Sequence, residues 1–182
     1  LGRQMLDTGR LPQKTVVATV MSNLGLDQAI RERGGEIVRV GVGDRYVVER
    51  MRRDGLPLGG EQSGHINLLD HGTTGDGLVS GLAILGTMVE QGARLSELAG
   101  CMKRYPQIIK NVYVDSKPDL AELDEVQAAI ASVEAQLAGD GRVLVRYSGT
   151  QMMARVMVEG PDGDGVNAAA GLIANAIKKA VG

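Results

Sequence analysis

The stretch TVVATVMSNLGLDQAIRERGGEIVRV, residues 15–40, decides the fold of the first part of the chain. Its β-branched beginning, residues 15–20, predicts a buried strand, and Glu36–Val40 predicts a second strand. Between them, Ser22 or Asn23 can cap a helix that stops at the glycine pair 34–35. A strand, a helix and a second strand in this order are typical of an α/β domain with parallel strands.

The sequence that follows this stretch continues the alternation of strands and helices. Residues 41–45 turn into a helix with apolar residues on one side, and residues 66–69 predict a strand that leaves a glycine-rich loop. Residues 73–77 open a longer helix, whose apolar residues recur at helical spacing. We therefore predict a layered α/β domain with a mixed sheet over residues 1–105.

The character of the sequence changes after residue 105, where we place the boundary of a second domain, residues 106–182. The predicted order is strand, helix, the two strands of a hairpin and a final helix, over residues 108–114, 120–137, 142–147, 154–159 and 166–181. This order predicts a small α+β domain with an antiparallel sheet and helices on one face.

The composition argues against several classes of protein. The chain has 182 residues with 22 acidic and 20 basic side chains, a net charge of −2, no Phe, no Trp and four Tyr. Because stacking aromatics and positive charge are both scarce, we expect no nucleic-acid partner. No apolar run approaches the ~20 residues of a membrane span, so we expect no membrane partner. The lone Cys101 excludes an internal disulfide and fits a cytoplasmic location.

The predicted hairpin loop is the strongest candidate for a binding site. Residues 146–155, RYSGTQMMAR, hold two arginines, two hydroxyl side chains and a glycine. The guanidinium groups, the hydroxyls and the backbone N–H groups beside the glycine are the donors that a phosphate requires. The alternative is an ordinary hairpin turn beside solvated arginines. The residue types alone leave both interpretations open.

A second candidate loop, residues 59–65, has the sequence GGEQSGH. Its glycines let backbone approach a ligand closely, while Glu61 and Ser63 can bond sugar hydroxyls. His65 can bond a phosphate or relay a proton. The alternative is a connection between strands whose polar residues cap the backbone.

No metal or dinucleotide site is predicted in this chain. Residues 161–165 resemble a metal loop only weakly, and because they precede a helix, Asp164 is better explained as its N-cap. Gly41 and Gly43 lack the third glycine of a dinucleotide fingerprint. His65 and His71 have no nearby Cys and have poor ligand spacing for zinc.

Four motifs, in their order along the chain, together resemble the α-D-phosphohexomutase superfamily. They are Val42-Gly-Asp-Arg-Tyr46, Gly60-Glu-Gln-Ser-Gly-His65, Thr73-Thr-Gly-Asp-Gly77 and Arg146-x-Ser-Gly-Thr150 with Arg155. The resemblance spans nearly the whole chain, and it is strongest to the bacterial branch that interconverts glucosamine 6-phosphate and glucosamine 1-phosphate. Two alternatives stay open: a mutase for glucose or mannose phosphates, and a phosphosugar-binding module without catalysis.

The resemblance implies roles for individual residues. Those that match the family's sugar-hydroxyl loop are Glu61, Ser63 and His65. Those that match its phosphate loop are Arg146, Ser148, Gly149, Thr150 and Arg155. Those that match a loop at the edge of the substrate cleft are Gly43, Asp44 and Arg45. The family's phosphate loop usually continues Thr-Glu-Pro, whereas Gln151 and Met152 stand here, so a charge and a fixed φ are lost while the phosphate-binding side chains remain.

The resemblance also implies that the chain corresponds to the third and fourth domains of a four-domain enzyme. In that enzyme a phosphoserine of the first domain reacts with the sugar phosphate through a bisphosphate intermediate. Mg²⁺ held by an Asp-rich loop of the second domain assists. Neither loop occurs in this chain, so we expect no catalytic residue, no metal ligand and no activity of the chain alone. Because the chain opens with Leu1 inside a predicted helix, we expect a longer protein whose N-terminal domains pack against this part.

Overall fold

Two sheets, one in each half of the chain, organise the computed structural model, which describes residues 1–182. The chain divides into two units, Leu1–Arg104, here called unit 1, and Tyr105–Gly182, here called unit 2. Each unit has its own apolar core and is described by itself.

Unit 1 contains a four-stranded sheet. Its strands are β1 (Thr15–Thr19), β2 (Glu36–Val40), β3 (Leu58–Gly60) and β4 (Ile66–Leu68). They lie in the order β2-β1-β3-β4, with β1 parallel to both β2 and β3 and with β3 and β4 joined as an antiparallel hairpin. The sheet is therefore mixed, as predicted.

Helices cover both faces of this sheet. The helices of unit 1 are α1 (Gly2–Asp7), α2 (Leu24–Arg31), α3 (Asp44–Asp54), α4 (Gly77–Gln91) and α5 (Leu95–Ala99), of which α5 has no buried residue. On one face, Val16 of β1 shares a core with Ile30 of α2. On the other face, Val17 packs with Val47 and Met51 of α3. Because successive strand residues point to opposite faces, β1 contributes to both cores and unit 1 has three layers.

Capping side chains set the beginnings of two helices. Of the two residues considered for the cap of α2, Asn23 is the one whose side chain accepts a hydrogen bond from Gly25 N, at 3.1 Å. Asp76 Oδ1 accepts from Leu78 N and Val79 N, at 2.8 and 3.1 Å, and so begins α4. Each cap satisfies backbone donors that have no partner within the helix.

Only some of the apolar residues of α4 face the core: Val79 and Ala83 pack against it, whereas four others are exposed. Ser80 and Thr87 are buried, and their hydroxyls donate to backbone carbonyls of the preceding turn. The exposed positions form a stripe with spacings of four, three and four residues, here called the α4 stripe: Leu78, Leu82, Leu85 and Val89. The exposed fraction reaches 82% at both ends of the stripe. Helical spacing identified the helix correctly, but the stripe has no partner in unit 1.

Gly59 and Gly60 belong to a strand, so the prediction that they lie in a loop is wrong. A Cβ at Gly59 would lie 2.6 Å from Met51 Sδ, and one at Gly60 would lie 2.7 Å from the carbonyl oxygen of His65. These glycines allow α3 and the second strand of the hairpin to approach β3 closely.

Unit 2 contains a three-stranded antiparallel sheet with two helices. The strands are β5 (Gln107–Tyr113), β6 (Arg142–Tyr147) and β7 (Met153–Glu159), in the order β5-β7-β6. The helices are α6 (Asp124–Leu137) and α7 (Gly163–Val181). They cover one face, where Val156 and Val158 of the central strand share a core with Val126, Ile173 and Ile177. The predicted fold class is confirmed in both units.

Two local predictions in unit 2 are wrong in detail. The amphipathic segment 120–137 is not one helix, because a 3₁₀ turn at Leu120–Glu122 precedes α6. Asp162, not Asp164, caps α7, and its carboxylate accepts from Asp164 N and Gly165 N at 3.2 and 3.0 Å. The turn-and-cap interpretation of 161–165 holds, with the cap two residues earlier.

Metal-ligating side chains do not cluster in either unit. No group of three or more His, Cys, Asp or Glu side chains is placed where it could hold a metal ion. None of the helices combines the length and the apolar character needed to cross a membrane.

Candidate functional site

Two arginines face each other across the β6–β7 hairpin. Arg146 and Arg155 are partners in the antiparallel register. Their strand neighbours Val145 and Val156 belong to the helix-covered core, so alternation places both arginines on the opposite face of the sheet. The strands therefore bring together two predicted site residues that are nine positions apart in sequence.

The arginine pair is not compensated by any acidic group. Neither guanidinium makes an ion pair or a hydrogen bond, and Arg155 Nε is buried without a partner. Burial lowers the pKa of Arg146 below its ordinary value, and the positive charge of Arg155 lowers it further. Two partly buried like charges without a counter-ion form a local surplus of positive potential, which favours an anion.

The same face of the sheet shows a compensated arginine for comparison. Arg142 and Glu159 are also in register on β6 and β7, and Arg142 Nε donates to Glu159 Oε2 at 2.8 Å. Glu159 is fully buried. The cross-strand pair Arg142–Glu159 thus neutralises its arginine with an acid, whereas the pair Arg146–Arg155, which lies nearer the loop, does not.

The loop between these strands has a defined backbone. Ser148 N donates to the carbonyl of Met153 at 2.8 Å, and Ser148 Oγ accepts from Gln151 N at 3.3 Å. Gly149 and Thr150 are exposed at the tip, and their backbone N–H groups make no hydrogen bond within the protein. Gln151, which departs from the family pattern, thus takes part in the turn through its backbone N–H. The N–H groups of Gly149 and Thr150 remain as two free donors at the tip.

Sequence reasoning missed the segment that borders this loop. Val114 N donates to the carbonyl of Met152 at 3.2 Å, and Lys117 Nζ donates to the carbonyl of Ser148 at 2.6 Å. Lys117 precedes the loop by about thirty residues, so no local pattern could have shown the contact.

The second candidate loop, in unit 1, is centred on a nearly buried carboxylate. Only 9% of the Glu61 side chain is exposed. Glu61 Oε1 accepts from Gly43 N at 2.9 Å, and Oε2 lies 3.5 Å from His65 Nδ1. Ser63 Oγ lies 3.1 Å from the same His65 nitrogen. The structure thus brings together four of the six residues predicted in unit 1, with Ser63 and His65 exposed to solvent.

Asp44 is held by a residue that the sequence did not indicate. Asn67 Nδ2 donates to Asp44 Oδ1 at 2.6 Å, while Asn67 Oδ1 is buried without a partner. Asn67 is only 1% exposed, and an isolated Asn in a short apolar strand gives no sequence signal of this role.

Arg45 stands apart from the network. Its Nε pairs with Glu49 at 3.0 Å on the exposed side of α3, and its guanidinium lies 5.6 Å from the centre of the Tyr46 ring. Of the three residues predicted for the cleft-edge loop, Gly43 thus contacts Glu61 and Asp44 contacts Asn67, whereas Arg45 contacts neither.

Both units match described domains of known enzymes. Residues 1–105 match "Phosphoglucomutase/phosphomannomutase, alpha/beta/alpha domain III". Residues 109–176 match "Phosphoglucomutase/phosphomannomutase, C-terminal domain".

Individual relatives extend this likeness. The phosphoglucosamine mutase of Anaeromyxobacter dehalogenans (strain 2CP-C) is 53% identical over 182 residues, which are 100% of this chain and 40% of that protein. A structure of Aspergillus fumigatus N-acetylphosphoglucosamine mutase has a TM-score of 0.79 at 19% identity, over 98% of this chain and 42% of that one. A structure of the same enzyme in complex with GlcNAc-6P and magnesium has a TM-score of 0.71 at 18% identity, over 98% and 41%. The chain thus spans about two fifths of the length of the relatives it matches.

Proposed function

Because the chain belongs to the phosphoglucomutase/phosphomannomutase family, we propose that it supplies the substrate-binding residues of a phosphoglucosamine mutase. The reaction would interconvert glucosamine 6-phosphate and glucosamine 1-phosphate. The 53% identity to a phosphoglucosamine mutase over the whole of this chain supports this substrate over other hexose phosphates.

The observation that carries the proposal is the uncompensated pair of Arg146 and Arg155 beside two free backbone donors. A phosphate dianion would neutralise both guanidinium groups and accept from the N–H groups of Gly149 and Thr150. Thr150 would add a hydroxyl donor, and Ser148 Oγ, which accepts from Gln151 N, has its own proton to donate. This loop would hold the phosphate that is not reacting.

The loop around Glu61 would hold the sugar. Gly43 N fixes one carboxylate oxygen, so Glu61 Oε2, Ser63 Oγ and the His65 imidazole are the groups left to bond sugar hydroxyls. A carboxylate held in this way accepts hydrogen bonds without first being reoriented. Asp44 would act through its contact with Asn67 by fixing the loop that carries Gly43.

These residues would bind and orient the sugar phosphate. We assign the groups that transfer the phosphoryl group to the rest of the enzyme. This chain covers 40% of the Anaeromyxobacter protein, so the remaining part of that protein can carry such groups. The residues of this chain do not fit a Mg²⁺ site, since no three acidic or His side chains converge. No step of the proposed binding role involves a metal.

The α4 stripe supports a role within a longer enzyme. Four exposed apolar side chains on one helix face, from Leu78 to Val89, form a contiguous surface of the kind that contacts another protein surface. We assign this surface to contact with the additional domains of the full-length protein.

A titration of the 182-residue chain followed by NMR tests the proposed binding. The chain is titrated with glucosamine 6-phosphate, glucosamine and inorganic phosphate. We expect glucosamine 6-phosphate and inorganic phosphate to shift the Gly149 and Thr150 amides of unit 2, and glucosamine 6-phosphate and glucosamine to shift the Ser63 amide of unit 1. Glucose 6-phosphate and mannose 6-phosphate test the choice of sugar. If glucosamine 6-phosphate moves none of these amides at millimolar concentration, the proposed function is wrong.

A further inference from the structure

We propose that Lys117 is a further part of the phosphate site: it positions the loop peptide and adds a third positive charge. The inference rests on the proposed function, because it assigns a new residue to the same site. Nothing in the four motifs points to Lys117, which lies in the segment after β5.

The segment after β5 holds the phosphate loop at both ends. Val114 N donates to the carbonyl of Met152 at one end, at 3.2 Å, and Lys117 Nζ donates to the carbonyl of Ser148 at the other, at 2.6 Å. The segment is itself anchored, since Asp115 N donates to the carbonyl of Val181 at 2.7 Å. Lys117 also precedes Pro118, which restricts its backbone to extended conformations.

The contact with the Ser148 carbonyl determines where a backbone donor points. In a trans peptide the C=O and the following N–H point in opposite directions. By holding the Ser148 carbonyl on its own side, Lys117 directs the Gly149 N–H away from itself. That N–H makes no hydrogen bond within the protein, so it is available to an anion. Lys117 also shields the anion from a carbonyl oxygen that would repel it.

Lys117 contributes charge as well as geometry. It makes no ion pair with any acidic side chain, and neither do the two arginines. Asp119, two residues further along, directs its carboxylate to Ala121 N as the cap of the 3₁₀ turn. Three cations without an acidic partner thus flank or contact one short loop: Arg146 on β6, Arg155 on β7 and Lys117 after β5.

Substitutions that separate length, hydrogen bonding and charge test this assignment. Lys117→Met keeps the length of the side chain but loses both the donor and the charge, Lys117→Gln keeps a donor, and Lys117→Arg keeps both. Lys110→Met is the matched control, because it removes the same charge from the helix-covered face of β5, opposite the arginines. Each variant of the full 182-residue chain is titrated with inorganic phosphate and with glucosamine 6-phosphate at two salt concentrations.

We expect Lys117→Met to lower the affinity for both ligands by about fivefold, which is the effect of one partly exposed charge. We also expect the affinity of this variant to depend less on the salt concentration. Lys117→Arg should bind within about twofold of the original chain, with Lys117→Gln in between. The Gly149 amide resonance of the ligand-free chain should move in Lys117→Met and not in Lys110→Met. If Lys117→Met and Lys110→Met bind the two ligands equally well while Arg146→Met binds them more weakly, the role of Lys117 is overturned and the proposed function is not. Failure of the original chain to bind either ligand overturns the proposed function together with this inference.

Discussion

Arg146 lies directly opposite Arg155 on the neighbouring strand, and neither side chain has an acidic partner. Like charges that face each other across a strand pair are destabilising. Four residues further from the loop along each strand, Arg142 is paired with the buried Glu159, so this sheet can compensate an arginine. The free arginine pair therefore indicates a site whose counter-ion is a ligand.

Replacement of Arg146 by Met should separate binding from stability. We expect affinity for glucosamine 6-phosphate to fall by at least about tenfold, because half of a charge clamp is lost. We expect the free energy of unfolding to rise by about 0.5 kcal/mol, because a like-charge contact is removed. Titration and urea unfolding measure the two effects. Lys110→Met is the control, and a variant that loses stability while it keeps affinity would contradict the assignment.

Replacement of Glu61 by Gln should affect the sugar and not the phosphate. The amide oxygen can still accept from Gly43 N, so the loop keeps its shape, whereas the charged acceptor for a hydroxyl is lost. We expect glucosamine 6-phosphate to bind about tenfold more weakly and inorganic phosphate to bind unchanged. Glu49→Gln, which removes an exposed carboxylate paired with Arg45, is the matched control. Equal losses for both ligands would show that Glu61 acts on the fold rather than on the sugar.

Replacement of Gly43 by Ala should destabilise unit 1. Gly43 has a φ of +133°, and an added Cβ would lie 3.4 Å from Tyr46 Cδ2. We expect a loss of about 1–3 kcal/mol in the free energy of unfolding, since side chains rarely adopt this conformation. Gly81→Ala is the control, and it should raise the free energy of unfolding. Gly81 lies inside α4 with open space around it, and alanine favours a helix over glycine by up to about 1 kcal/mol. Chemical unfolding of both variants checks the two signs.

The fold was predictable because its elements carry local signals. β1, α2 and β2 follow from a β-branched run, a capping Asn23 and a glycine stop, all visible within residues 15–40. The hairpin of unit 2 follows from alternation with period two. The errors arise where two neighbouring residues offer the same chemistry, as with Asp162 and Asp164, or where glycine serves close packing in a strand, as with Gly59.

The candidate site was predictable only as far as it is contiguous in sequence. Glu61, Ser63 and His65 lie in one short loop, and the structure places them together. Asn67 and Lys117 act through contacts with Asp44 and Ser148, which are distant in sequence, and an isolated Asn or Lys has no pattern of its own. Such contacts depend on strand order and loop course, which only the folded chain provides.

Substitutions in the α4 stripe should change association and leave ligand binding intact. We expect Leu82→Lys together with Leu85→Lys to lower the binding of a hydrophobic dye and the self-association of the 182-residue chain, because they interrupt the exposed apolar surface. The thermal midpoint should stay within a few degrees, since neither side chain is buried. Leu172→Lys, at a half-exposed position of α7, is the control and should have little effect on either property.

In the full-length enzyme the double substitution should reduce activity while the affinity of the isolated chain for inorganic phosphate is unchanged. Unchanged full-length activity would exclude the α4 stripe from the contact with the additional domains, and a loss of phosphate affinity would mean that the stripe influences the binding site itself.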